Sequence, residues 1–211
     1  KGSSTIHDGT WHHVAVDSNG STVRLFIDGV LETNTNEVAT NVGEWFDHFA
    51  ELDNVTIGVL TRTSNLAYFD GSLADIRYYS AALTAADVAI LASKIQVDDA
   101  LTSIQAVHHW PLNSATISTS GVGDCVGSAT AIDLTPTSIV AGSFEYDAFS
   151  VAVQDATTTT DGAVTVTQGK LEGLALTSIV FDSDGWVNLG SDVDSDIMTG
   201  SFAISAWIKP T

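Results

Sequence analysis

Asp8-Gly9-Thr10-Trp11-His12-His13-Val14-Ala15-Val16, followed a few residues on by Val23-Arg24-Leu25-Phe26-Ile27-Asp28-Gly29, decides the fold. The first run alternates in the manner of a strand, and Asp17-Ser18-Asn19-Gly20 supplies a turn. Val23, Leu25 and Ile27 then recur at period two. Asp28-Gly29 precedes a further extended stretch, Val30-Leu31-Glu32. An Asp-Gly pair between two such runs is a strong hairpin signal, because both turn positions favour positive φ.

The same reading extends outward. Val55, Ile57 and Val59 alternate within a strand over 54–59. Phe69 to Tyr79 reads as a turn and a long strand. Thr84 can cap a helix, with Asp87 three residues on and a Val88, Leu91, Ile95 stripe, so a short helix is expected from about Ala85 to Ser93. The segment 96–103 reads as a linker or strand lead-in. Beyond it, strands are expected at 106–112, 163–166, 174–181, 186–189 and 202–208, with a loop-rich stretch over 121–142. Asp155 to Gly162 is a threonine-rich tract ending in Asp-Gly, most simply a solvated hairpin tip. The expected fold class is all-β: a sandwich of two antiparallel sheets with one short helix.

Composition narrows the function. The chain has 211 residues, 44% of them hydrophobic, enough for a sizeable core. Asp and Glu number 26 against 7 Lys and Arg, a formal net charge of -19. Such a surface repels phosphate backbones and anionic lipid, which argues against nucleic-acid partners and membrane insertion. It favours divalent cations. No apolar run is long enough for a membrane span. The single cysteine, Cys125, excludes an intrachain disulfide and reads as an inert thiol. The chain starts at Lys1 and stops just after an apolar strand, so it is expected to be part of a longer polypeptide.

Three segments together resemble the laminin-G-like, or concanavalin A-like lectin/glucanase, jelly-roll superfamily, which includes the pentraxins. They are the opening segment, the run Phe69-Asp70-Gly71-Ser72-Leu73-Ala74-Asp75-Ile76-Arg77-Tyr78-Tyr79, and Phe181-Asp182 with Val187-Asn188-Leu189-Gly190 and Ser201-Phe202-Ala203-Ile204-Ser205-Ala206-Trp207-Ile208-Lys209-Pro210. The resemblance implies that the halves are in permuted order. Residues 1–95 resemble the C-terminal half of such a sandwich, and residues 96–211 resemble the N-terminal half. Two half-sandwiches expose apolar faces and open edges. The expectation is one sandwich made from both, with Trp11, Val14, Val16, Leu25, Ile27, Ile57, Ile76 and Tyr78 packed against Trp110, Leu112, Phe181, Val187, Ile204 and Trp207, and with a slice across tandem domains, or exchange with neighbouring chains, as alternatives.

The resemblance also implies a candidate metal site. An acidic residue matching Asp75 often binds structural Ca²⁺ in this superfamily, with backbone carbonyls from regions matching Trp110 to Asn113 and Gly185. Carbonyls plus a carboxylate suit a hard cation. The alternative is a carboxylate paired with Arg77 or left in solvent. Pentraxins carry an acidic cluster where this chain has Leu60-Thr61-Arg62, so that second type of calcium site is not expected. Asp182, Asp184, Asp192, Asp194 and Asp196 lack the Gly and Glu of an EF-hand loop and read more simply as a solvated acidic loop.

Trp45, Phe46 and Phe49 are the candidate ligand-binding residues. Aromatic faces stack on sugars, and the neighbouring acids Glu44 and Asp47 can bond hydroxyls. Burial, or contact with a neighbouring subunit, is the other reading. Glu51 and Asp53 have no second carboxylate at position 55 or 56, and a glycosidase needs two flanking the bond. His12-His13 and His108-His109 are adjacent on strands, so each pair points to opposite faces and cannot simply chelate one metal. Asn19-Gly20-Ser21 and Asn54-Val55-Thr56 are glycosylation sequons, meaningful in a eukaryotic secretory host.

These readings converge on a non-enzymatic module at an extracellular, cell or virion surface, structural or adhesive in character. Its expected partners are neighbouring copies or domains of the same protein. The alternative is a carbohydrate-binding, lectin-like module of a secreted protein that recognises surface glycans.

Overall fold

The computed structural model describes residues 2–33, 56–61, 64–93, 101, 103–110, 117–118, 121–122, 135–137, 144–148, 152–158, 164–170, 175–181, 186–188 and 201–211. Strands dominate. In chain order they are β1 (His12–Ser18), β2 (Val23–Ile27), β3 (Val30–Leu31), β4 (Thr56–Ile57), β5 (Val59–Thr61), β6 (Asn65–Tyr68) and β7 (Gly71–Tyr79). The helix α1 (Ala85–Ser93) follows, then β8 (His108–Trp110), β9 (Ile117–Ser118), β10 (Gly121–Val122), β11 (Thr135–Thr137) and β12 (Phe144–Ala148). The last are β13 (Ala152–Thr158), β14 (Val164–Lys170), β15 (Ala175–Phe181), β16 (Trp186–Asn188) and β17 (Phe202–Pro210). Antiparallel sheets with a single short helix among the described residues make this the all-β architecture of a concanavalin A-like sandwich.

The main sheet runs β12-β15-β7-β17-β1-β2-β3, with β8 also paired to β7. A second sheet has the order β11-β16-β4, and among the described residues two-stranded sheets pair β9 with β10, β13 with β14, and β5 with β6. The Asp28-Gly29 turn joins β2 to β3 with φ of 51° and 81°, both positive as the sequence pattern requires. The strand expected over 54–59 is interrupted. Gly58 has φ of 90°, and the chain breaks there into β4 and β5. The threonine-rich tract reaches further into strand than its composition suggests, since Asp155–Thr158 lie in β13 opposite Val164–Thr167 of β14.

β17 sits between two strands from the other end of the chain. His12↔Ile208 through Ser18↔Phe202 pair it with β1, and Gly71↔Pro210 through Tyr79↔Ala203 pair it with β7. β7 is buried along its whole length. Along its other edge it meets β15 at Gly71–Leu73 and β8 at Ile76–Tyr78. Opposite β17, the register slips between Ser205 and Trp207, so that two β7 residues face one. Asp75 lies at this bulge with φ of 52°.

α1 forms where the sequence places it. Thr84 Oγ1 accepts from the Asp87 N–H at 3.1 Å, while Asp87 accepts the Thr84 N–H at 3.0 Å and its hydroxyl at 2.6 Å. This reciprocal cap satisfies donors that a helix start leaves orphaned. Burial alone would raise the Asp87 pKa, but the bonds from Ser103 and Thr84 outweigh it and hold the carboxyl below its ordinary value. Val88 and Leu91 pack with Leu83, Leu101, Ala15, Phe26, Tyr79 and Ala203.

That packing revises which side of the sheet is most deeply buried. The sequence pattern put Val14, Val16, Leu25, Ile57 and Ile204 in the core, yet all five are half-buried. In β1 the buried positions are the alternate ones, His13, Ala15 and Asp17. α1 covers this face, and its aspartate is paired. Asp17 takes Arg24 Nε at 2.8 Å and Arg24 Nη2, and also accepts the Leu83 N–H at 3.1 Å. Arg24 Nη2 donates in turn to the Leu83 carbonyl at 2.5 Å. Trp11, Ile27, Ile76, Tyr78, Trp110, Phe181 and Trp207 are buried, in agreement with the pattern.

At Gly71 the β7 backbone runs close against β17. The φ there is 142°, and an added Cβ would lie 2.3 Å from the Lys209 carbonyl oxygen. Gly71→Ala is expected to destabilise the fold by on the order of 3 kcal/mol, from backbone strain and overpacking together; equilibrium denaturation checks it. Val14 and Ala206 are direct cross-strand partners. Closure of the sheet within one chain predicts that Val14→Cys with Ala206→Cys, in a Cys125→Ser background, oxidises to an internal disulfide. Non-reducing electrophoresis should then show a monomer with no free thiol. A disulfide-linked ladder would instead mean exchange between chains.

Candidate functional site

The candidate site is built on β7, β8, β1 and β17. Arg77 pairs across to Ser205 on one side and His109 on the other, while His13 pairs to Trp207. The alternation of the strands therefore turns Arg77, His109, His13 and Trp207 toward the same face. The Asp75 bulge brings its carboxylate into this group. Oδ1 accepts from Arg77 Nε at 3.1 Å and lies 2.6 Å from His109 Nε2. Arg77 Nη2 is also 3.1 Å from Oδ1. Arg77 and Asp75 are 3% and 4% exposed, so this is a buried, hydrogen-bonded ion pair.

His13 lies against this pair. Its ring meets Trp207 edge-on, with centroids 5.5 Å apart and planes at 63°. Nδ1 of His13 has no hydrogen-bond partner among the described residues. Burial pushes its pKa down from 6.5 to about 4, with the Asp75 charge opposing the shift. The ring is therefore neutral at neutral pH. On the opposite face, His108 stacks on Trp110 at 5.4 Å and 15°, and Tyr78 lies 6.1 Å from His108. Burial raises the Tyr79 hydroxyl to about 12.

Asp75 and Trp110, two of the candidate calcium residues, lie on neighbouring strands, with Trp110 opposite Ile76. Asn113 and Gly185 lie outside the described residues, as do Trp45, Phe46 and Phe49. The Asp75 donor set is that of an ion pair with Arg77. Oδ1 is shared between a guanidinium and an imidazole. Among the described residues no three His, Cys, Asp or Glu side chains group as metal ligands.

Sequence reasoning missed the convergence of His13 and His109. Each histidine pair does split across the sheet, as expected. One member of each pair then shares a face with Asp75, and only the cross-strand register, absent from the sequence, shows this. The chemistry available to a group buried this deeply is charge balance and packing. None of the three ionisable partners reaches solvent.

Comparison with known proteins agrees with this frame over part of the chain. Residues 1–89 match Laminin_G_3, of the Concanavalin A-like lectin/glucanases superfamily. This segment is similar to that superfamily. The match takes in β1 to β7 and the start of α1, including the opening motif and the Asp75 strand. No curated protein and no solved structure matches the chain. Among the described residues, no helix is long and apolar enough to cross a membrane.

Within the laminin-G-like segment, His13 sets an acid limit on stability. Its folded pKa of about 4 is below its ordinary 6.5, so the unfolded chain binds the extra proton between those values. The folded state keeps its full advantage above about pH 6.5 and loses it as pH falls toward about 4, by roughly 3 kcal/mol. His13→Phe should retain the edge-on contact with Trp207 and flatten this part of the stability–pH curve. Thermal melts across the window check it.

Proposed function

We propose that the chain is a non-catalytic structural or adhesive module acting at an extracellular, cell or virion surface, joined to neighbouring copies or domains of the same protein. The observation that carries this reading is the buried Asp75–Arg77–His109 group. The ionisable residues drawn together at the centre of the main sheet are bonded to one another and closed to solvent. They therefore serve the fold and have no access to a substrate. The net charge of -19 supports a solvated exterior that disfavours nucleic acid and anionic lipid. The superfamily supports a β-sandwich used for recognition or assembly.

A carbohydrate-binding role is the second reading, favoured by the aromatic run Trp45, Phe46 and Phe49 together with the lectin membership of the superfamily. Two measurements on the full chain separate them. Analytical ultracentrifugation over a concentration series should show self-association, while a glycan array shows no binding. Glycan binding that Trp45→Ala abolishes would replace the structural reading with the lectin one. Release of reducing sugar from a polysaccharide panel would overturn both.

A further inference from the structure

The segment leading into β1 is tied down by carboxylates at two places. Glu32 accepts from the N–H groups of Ser3 and Ser4 at 2.6 and 2.9 Å, and from their hydroxyls at 2.9 and 2.6 Å. The second tie runs through a histidine. His12 Nδ1 lies 2.8 Å from Asp28 Oδ2, and Nε2 lies 3.2 Å from Asp8 Oδ1.

Both carboxylates also accept backbone N–H groups. Asp28 Oδ1 accepts the His13 N–H at 2.8 Å, and the Asp28 N–H donates to the His13 carbonyl at 2.8 Å. Asp8 Oδ1 accepts the Thr10 N–H at 2.9 Å and its hydroxyl at 2.7 Å. Ionised carboxylates only accept, and a neutral imidazole has one N–H and one lone pair. A neutral His12 can satisfy one aspartate while facing the other with a lone pair. The imidazolium, with two N–H groups, satisfies both.

We propose that His12 is a proton-dependent clasp, which binds the lead-in segment at Asp8 to the β2–β3 turn at Asp28 when doubly protonated and releases the Asp8 side when neutral. The Asp28 contact, the shorter of the two, is the one retained. The turn it grips underlies α1, since a Cβ on Gly29 would lie 3.3 Å from both Ala89 Cα and Ala92 Cβ. The charged groups acting on the ring are Asp28 and Asp8, Thr10 Oγ1 is 3.2 Å from Nε2, and β17 presents Ile208 opposite.

Burial lowers the His12 pKa, but the two carboxylates outweigh it, and the net shift is upward from 6.5. A raised folded pKa means the clasp contributes fully below the ordinary value and is lost as pH rises through the folded one. Glu32, lowered to about 2 chiefly by Ser4 and then Ser3, does not titrate in that window. Raising the pH therefore frees the segment at Asp8 and leaves it fixed at Ser3 and Ser4.

The test is an NMR titration of the full chain, following the His12 ring signal, assigned by its loss in His12→Gln. Asp8→Asn and Asp28→Asn should each lower its midpoint, the second more than the first. Amide exchange, corrected for its intrinsic pH dependence, should show the N–H of Thr10 losing protection between about pH 5 and about pH 9. The Ser3 and Ser4 amides should not change, and His12→Gln should remove the pH dependence. An unchanged midpoint in both aspartate variants would overturn the proposal. So would equal pH dependence at Thr10 in wild type and His12→Gln.

Discussion

β17 is the strand on which the main sheet depends. It is hydrogen-bonded along one edge to β1 and along the other to β7. Without it, β1-β2-β3 and the β7 group would be separate ribbons, and short ribbons of that kind are marginal in water. Burial of Phe202 and Trp207 contributes on the order of 2 kcal/mol each. Satisfying two edges at once constrains register, and β7 meets the constraint with the bulge at Asp75. A positive φ at a non-glycine residue costs about 1–2 kcal/mol. The bonds from Arg77 and His109 to the same side chain offset that cost.

The charge imbalance sharpens the choice of where cations go. Seven Lys and Arg face 26 acids, so surface carboxylates compete for every cation. Arg24 and Arg77 are nonetheless bonded to Asp17 and Asp75, the acids that lie within the sheet. A buried carboxylate without a partner is far more costly than a solvated one, which explains the allocation. The planar guanidinium fits both sites because it donates in several directions. Arg24 reaches Asp17 and the Leu83 carbonyl together and lies 5.3 Å over the Phe26 ring.

Period-two alternation, the Asp-Gly turn and the Thr84–Asp87 cap are local patterns, so the all-β class, the β2–β3 hairpin and α1 could be read from the sequence. The break at Gly58 is also local, but a single glycine in an alternating run carries no mark of its φ. Which sheet face lies deepest is not local. Alternation gave the apolar line Val14, Val16, Leu25 and Ile27, whereas α1 covers the line through His13, Ala15 and Asp17. An aspartate at a buried position reads as polar until its partner, Arg24, is seen on the next strand. The site follows the same rule. Asp75 and Arg77 were visible as neighbours on one face, but His109, 34 residues away, reaches Asp75 only through the β7–β8 register.

The polar contacts between α1 and the sheet form a connected route rather than scattered pairs. Asp17 on β1 holds Arg24 on β2 and the Leu83 N–H before the helix. One residue on, Thr84 caps α1 through Asp87, and Asp87 accepts from the Ser103 hydroxyl at 2.5 Å. This route joins β1, β2 and the helix start to Ser103, in the 103–107 stretch that leads into β8. Leu83, Val88, Leu91 and Leu101 pack beside it in the apolar cluster, and a lower local dielectric strengthens polar bonds while making an unpaired member costly. The helix thus does more than shield one sheet face. Through Ser103 it also holds the segment that leads to His109, the residue that β8 delivers to Asp75.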